Sequence, residues 1–365
     1  MNQLEQARHE IDTIDTEMAK LFARRMEACK SVAEYKKEHG LPILDATREA
    51  AVIASGAGRI EDETLREYYT NFLRDTMKTS RAYQSRLLGG MKVAYSGAEG
   101  AFAYLAAKKA FPDATLYGGC DFTDAYRAVE AGEYDCAVLP IENSYAGDVG
   151  DVMDLMFSGS LYVNRVIELE VNHNLLVLPG TRKEQIKTVV SHPQALAQCA
   201  DFIRANGWKT VTYSNTALAA KYVAEQKDPT VAAIASEESA AGLGLDVLEH
   251  RINAARNNTT RFAVLTRASH LPSPESRDNR EHFILVFTTK NEAGALAQTL
   301  NIIGAHNFNM RGLRSRPMKE LLWNYYFFVE ADGNINSASG QDMLRELSAV
   351  CARLKLVGAY QSETL

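Results

Sequence analysis

Apolar residues recur at helical spacing from Leu4 to Lys37, at Leu4, Ile11, Ile14, Met18, Leu21 and Val32, with no glycine or proline between them. That period is the signature of an amphipathic helix, and at 1.5 Å per residue it predicts a rod roughly 50 Å long. Gly40-Leu41-Pro42 ends it, since neither glycine nor proline continues a helix well. A shorter helix is expected from about Ala46 to the Gly56-Ala57-Gly58 break, and a third from about Asp62 to Leu87, ahead of Gly89-Gly90. Three helices, the first so long, enclose little core. Two interlocked copies would bury the exposed stripe, so the pattern predicts a homo-oligomer, at least a dimer.

From Met91 the pattern changes to short apolar strands alternating with helices. Lys92–Tyr95, Cys136–Leu139, Asn174–Leu178, Thr188–Val190 and Val231–Ile234 read as strands, separated by helical stretches near 101–111, 123–131, 194–206 and 216–226. Such alternation predicts an α/β region, here with two lobes around a cleft. Ser269 to Arg280, with Pro272, Pro274 and several charges, reads as a linker. Beyond it comes a β-α-β-β-α-β pattern: a strand at Phe283–Phe287, a helix from Gly294 to about Ala305, strands near Leu313 and over Trp323–Val329, a helix over Gln341–Leu354 and a last strand at Leu356–Tyr360. That order is the ferredoxin-like split motif. The expected organisation is a helical domain over 1–90, an α/β domain over 91–268 and a ferredoxin-like domain over 281–365, with 269–280 between the last two.

Composition narrows the class. A chain of 365 residues exceeds one ordinary core, and 46% hydrophobic with 24% charged residues is globular. A net charge of -6 without a long basic run argues against nucleic-acid partners, and no apolar run is long enough to span a bilayer. Cys29, Cys120, Cys136, Cys199 and Cys351 are scattered and never spaced as metal or redox pairs, which fits reduced thiols in a cytoplasm. With no metal cluster, nucleotide loop or nucleophile triad, no cofactor is expected.

On the first helix Arg25 and Lys36 are eleven residues apart and share a face, with Arg8 a quarter turn away. Asp45, Arg48 and Glu49 follow the proline, and Ser80 and Gln84 lie one turn apart on the third helix. By spacing alone this fits a solvated bundle with ordinary surface charge. The set also resembles the all-helical class of chorismate mutase across residues 4–88, with Arg8, Arg25, Lys36, Asp45, Arg48, Glu49, Ser80 and Gln84 on that family's active-site positions. The resemblance implies a pericyclic rearrangement of chorismate to prephenate, which needs no nucleophile. Arginines would clamp two carboxylates in the reactive shape, Lys36 and Gln84 would donate to the ether oxygen, and Glu49 would accept from the ring hydroxyl.

Two polar clusters flank apolar strands farther on: Pro140-Ile141-Glu142-Asn143-Ser144 after Ala137-Val138-Leu139, and Asn257-Asn258-Thr259-Thr260-Arg261 before Phe262-Ala263-Val264-Leu265. Polar groups at strand ends can share a cleft. With Ser191-His192-Pro193-Gln194 these segments resemble the motifs of prephenate dehydratase over 92–266. The resemblance puts Asn143, Ser144, Ser191, Gln194 and Thr260 around the substrate, with Thr260 donating to the departing hydroxyl. Arg261 either pairs a keto-acid carboxylate or braces its strand; His173 and His192 read as structural. Ala101 and Ala103 stand where that family usually has Ser or Thr in its opening glycine loop.

Residues 281–365 look like an ACT domain, an amino-acid-binding module. Gly294-Ala295-Leu296 and Ser315-Arg316-Pro317 fit its two phenylalanine motifs, and Asn309 would hold the ligand's polar end; Ala297 and Arg314 depart from the usual Val and Glu. Together the resemblances imply a bifunctional enzyme taking chorismate through prephenate to phenylpyruvate, with phenylalanine as allosteric ligand. A dehydratase with a purely structural helical domain, and a non-catalytic amino-acid sensor, are the alternatives.

Overall fold

Each helix of the N-terminal region begins where a polar side chain satisfies its leading amides. In α1 (Gln3–Glu38), Asn2 accepts from the Glu5 amide while Glu5 accepts from that of Asn2, both at 2.9 Å, a reciprocal capping box. Asp45 and Asp62 cap α2 (Ala46–Ala57) and α3 (Glu63–Gly89) in the same one-sided way. Gly56 lets α2 close on α3, since a Cβ there would clash with Leu73. Met26 and Ala33 are buried, yet Leu4, Ile11, Ile14, Met18, Leu21, Phe22, Val32 and Tyr35 of α1 stay exposed. The unit is therefore amphipathic with its apolar stripe uncovered.

The computed structural model describes residues 2–254, 257–278, 280–318 and 324–365, which form two compact units, 1–92 and 93–365. The second opens with β1 (Lys92–Ser96), α4 (Phe102–Ala110), β2 (Thr115–Cys120), α5 (Phe122–Ala131), β3 (Cys136–Asn143), β4 (Gly147–Asp148), α6 (Gly150–Ser158) and β5 (Tyr162–Glu170). A second lobe follows: β6 (Asn174–Val177), β7 (Thr188–Ser191), α7 (Pro193–Gln198), α8 (Ala200–Ala205), β8 (Lys209–Thr212), α9 (Thr216–Gln226), β9 (Val231–Ala235), α10 (Glu237–Leu243) and β10 (Asp246–Glu249). Then β11 (Thr259–Thr266) returns to pair antiparallel with β5 and β3. The second lobe is thus an insertion between two neighbouring strands, which leaves a cleft at the seam.

The chain ends in β12 (Glu281–Thr288), α11 (Ala295–Ala305), β13 (Met310–Pro317), β14 (Tyr325–Asp332), α12 (Ala338–Val350) and β15 (Arg353–Thr364). Trp323, expected to start a strand, lies outside the described residues. The sheet orders are β13-β14-β12-β15-β5-β11-β3-β1-β2, with β4 beside β3, and β10-β6-β9-β7-β8. The C-terminal strands therefore continue the first lobe's sheet through a parallel β15–β5 seam, Ser362 to Thr364 against Val166 to Glu168. Ile284, Val286, Tyr326 and Phe328 share one core with Leu139, Met153 and Val166, while Phe283, Leu285 and Phe287 pack under α11 and α12. Alternation along β12 explains why all eight of its residues are buried.

Several expected elements change. The helix over 194–206 is two short ones that meet at Cys199. The helix over Gln341–Leu354 starts earlier, at a Ser337 cap, and stops at Val350. The last strand is twelve residues long rather than five, because β5 offers it a free edge beyond β12.

Candidate functional site

In the helical unit, Arg25 of α1 donates to the Ser80 hydroxyl of α3, which in turn donates to the Thr76 carbonyl at 2.6 Å. Lys36 donates to the Ile43 carbonyl in the α1–α2 turn. Asp45 is spent as the α2 cap, so its carboxylate faces a backbone amide. Glu49 forms an ion pair with Arg81, a residue the sequence reading did not single out although it follows Ser80 directly. Gln84 is buried and its Oε1 is unpartnered. Arg8 is exposed, and no described residue hydrogen-bonds its side chain or that of Arg48. The cations and the buried amide belong to one bundle, with carboxylates at its margin.

In the second unit a cavity of about 410 Å³ opens at the seam, lined among others by Ser96, Phe102, Phe122, Asn143, His173, His192, Gln194, Asn215 and Thr260. Strand pairing sets Thr260 against Asn143. The Asn143 amide donates to Thr260 Oγ1 at 2.9 Å and to Asn258 Oδ1 at 2.8 Å, while its oxygen accepts from the Tyr145 and Ala146 amides at 3.1 and 2.9 Å and from Gln194 Nε2 at 3.4 Å. Asn258 donates onward to Gln198 Oε1 at 2.9 Å. Every polar atom of Asn143 is therefore committed, and its orientation is fixed.

His173 approaches the same Gln198 oxygen through Nε2 at 2.7 Å. A carboxamide oxygen only accepts, so Nε2 carries the proton and Nδ1 is left buried without a partner. Burial pushes this imidazole down to about 4, and burial also lowers His192, which caps α7 by accepting from the Gln194 amide at 3.3 Å. Both rings are neutral at ordinary pH. Positive potential comes instead from helix ends: α4 starts at Ala101 with no side-chain cap, whereas Asn215 caps α9. Uncapped leading amides suit an anion.

The remaining candidates lie elsewhere. Ser191 is fully buried and donates to the Ile234 carbonyl at 2.6 Å, away from the cavity wall. Ser144 bridges the Asn257 carbonyl and the Thr259 amide at 3.1 and 3.0 Å, bracing the loop. Arg261 points to the opposite face from Thr260, as adjacent strand residues must, and bonds Glu142 and Glu330. Its guanidinium is thereby engaged with two carboxylates on the side of the sheet away from Thr260. Asn258, Gln198 and Asn215 were missed; Asn258 sat in the polar cluster beside Thr260.

At the C-terminal end Gly294 adopts φ 85 at the uncapped start of α11, followed by Ala295 and Leu296. Asn309 donates to Asp332 at 2.9 Å. Ser315, Arg316 and Pro317 lie on β13, but Arg316 is taken up in a two-pronged pair with Asp154 at 2.8 and 3.1 Å. Among the described residues no group of three or more His, Cys, Asp or Glu is placed to hold a metal ion, and no helix is long and apolar enough to cross a membrane.

The chorismate mutase type II family model matches residues 7–85, and the prephenate dehydratase model residues 93–270. A bifunctional chorismate mutase/prephenate dehydratase of Enterobacter agglomerans is 32% identical over 379 residues, covering 100% of this chain and 97% of its own. The chain belongs to the bifunctional chorismate mutase/prephenate dehydratase family. The Escherichia coli (strain K12) member is 31% identical with the same coverage. The solved prephenate dehydratase of Arthrobacter aurescens, in complex with L-Phe, matches at TM-score 0.69 and 28% identity over 74% of this chain and 90% of its own. The helical unit accordingly carries the mutase and the α/β lobes the dehydratase, which sets aside the non-catalytic sensor.

Proposed function

We propose that prephenate occupies the seam cavity with its leaving hydroxyl on Thr260 and its carboxylates toward Gln194 and the α4 amides. One observation carries this reading. Thr260 Oγ1 accepts from Asn143 at 2.9 Å, and no described residue accepts the threonine's own proton. The amide takes up an oxygen lone pair and makes the hydroxyl a better donor, so the proton is available to the departing hydroxide. The bond from the ring to its carboxylate breaks to release carbon dioxide, its electron pair completes the aromatic ring as the ring C–O bond breaks, and Thr260 regains its proton from solvent water, so the electrons balance and no redox partner is needed. Thr260→Ala lowers dehydratase turnover on the order of 10²–10⁴, while Thr260→Ser, which keeps the hydroxyl, retains most of it; a fully active alanine variant contradicts the assignment.

In the helical unit Arg8, Arg25 and Arg48 clamp the chorismate carboxylates, Lys36 and Gln84 serve the ether oxygen, and Glu49 takes the ring hydroxyl, with Asp45 and Ser80 placing their neighbours. The exposed α1 stripe is covered by a second copy of the chain, which brings Arg8 into the partner's site. Sedimentation as a monomer at micromolar concentration counts against that. The C-terminal β-α-β-β-α-β unit is an ACT-type module binding phenylalanine, supported by the Gly294 helix start and by the L-Phe bound to the Arthrobacter protein. Because Arg316 and Asn309 are engaged, Gly294, Ala295, Leu296, Ser315 and Pro317 carry the contact. Dehydratase rates unmoved by saturating phenylalanine contradict this module's role.

A further inference from the structure

Behind the Thr260–Asn143 pair, the next cross-strand pair is Arg261–Glu142. Its two side chains face away from the cavity and meet residues supplied by the C-terminal unit. Arg261 donates to both oxygens of Glu330 at 2.6 and 3.0 Å, to Glu142 at 2.9 Å and to the Tyr360 hydroxyl at 3.0 Å. Tyr360 itself donates to Glu330. From β13, Arg314 reaches the other Glu142 oxygen at 2.8 Å and also pairs with Asp148 of β4. Glu330 is only 3% exposed, so its charge is tolerated there because the fork of Arg261 meets it. Burial pushes the Glu330 carboxyl up, but the Arg261 and Tyr360 contacts outweigh that and hold it below the usual glutamate value.

We propose that Glu330 of β14 is a positioning residue of the dehydratase: by gripping Arg261, and with Arg314 gripping Glu142, the C-terminal unit fixes the strand pair whose other face carries Thr260 and Asn143. The physical reason is the pleat. Residues 260 and 261, and 143 and 142, share peptide units, so a shift of one pair moves the other. A bulge lies directly beyond, between Arg261 and Phe262, where a β-ladder yields most easily. Inside the cavity Asn143 is held by Asn258 and Gln194 and by the Tyr145 and Ala146 amides; the grip from behind acts on the strand pair as a whole. Arg314, where a glutamate would repel Glu142, fits this arrangement and explains that departure.

The inference rests on Thr260 being the hydroxyl donor, and its test separates the two claims. Glu330→Gln is measured in the full chain and in the Thr260→Ala background, with chorismate turnover as an internal control. The expected result is a loss of dehydratase kcat of about 10- to 100-fold with KM changed less than about threefold, mutase rate unchanged, and little further loss once Thr260 is absent. Dehydratase kcat within twofold of the parent overturns the proposal, as does an equal fold loss in both backgrounds, which marks a merely structural effect. If Glu330→Gln fails to fold, Tyr360→Phe removes one hydroxyl from the same grip and must lower kcat in the same direction by about threefold; no loss there overturns the proposal. A fully active Thr260→Ala variant removes the donor assignment and leaves Glu330→Gln in the parent as the measure of positioning alone.

Discussion

The two reaction sites solve different electrostatic problems, and their surroundings differ accordingly. In the helical unit the candidates include arginines and a lysine on solvent-facing helices: Arg25 rests on Ser80 and Lys36 on the Ile43 carbonyl, while neighbouring Arg81 pairs with Glu49. In the α/β unit the candidates are neutral amides and a hydroxyl in a cavity where Asn143, Asn258 and Gln198 satisfy one another. A pericyclic step on a dianion gains from strong charges that hold a shape. Loss of hydroxide and carbon dioxide gains from an oriented donor in a water-poor space. Charge that would help the first would mis-tune the second.

That contrast makes the sites separable. Lys36→Ala is expected to lower mutase turnover about a hundredfold or more, as removal of one donor to a developing oxyanion does, while leaving the rate on added prephenate unchanged. A loss below threefold removes Lys36 from the role, and a parallel loss of dehydratase activity breaks the separation.

A smaller effect sharpens the neutral character of the second site. His173 is held down to about 4 by burial, against an unfolded value of about 6.5. The folded α/β unit therefore binds fewer protons than its unfolded chain between those values, so its stability is full above about pH 6.5 and falls as pH drops toward 4. The fall is at most about 1.4 kcal/mol per pH unit for this one group. Thermal unfolding of the full chain followed from pH 7 to 5, compared with His173→Gln, reads it out: the substitution should flatten the acid slope, and an unchanged slope means another group sets it.

Much of this was legible in the residues, unevenly. Periodicity marks α1 to within a residue at each end, because no glycine or proline interrupts it. The resemblance to prephenate dehydratase singled out Asn143, Gln194 and Thr260, two of them in polar clusters at strand ends, and all three line one cavity. The partner of the Ser191 hydroxyl, the Ile234 carbonyl 43 residues away, was not readable from its local sequence. The side of β11 on which Arg261 sits follows from strict alternation once Thr260 faces in, so that part was readable and not used. The partners of Arg314 and Arg316, 162 to 172 residues away in sequence, and the parallel docking of β15 on β5 depend on tertiary closure. No local pattern encodes them.

The most direct test of the central claim, that Thr260 donates the proton released to the leaving hydroxide, is to feed chorismate to the Thr260→Ala enzyme and follow both products in time. The account predicts chorismate consumed at the parental rate with prephenate accumulating and phenylpyruvate nearly absent. Phenylpyruvate appearing at the parental rate would contradict it.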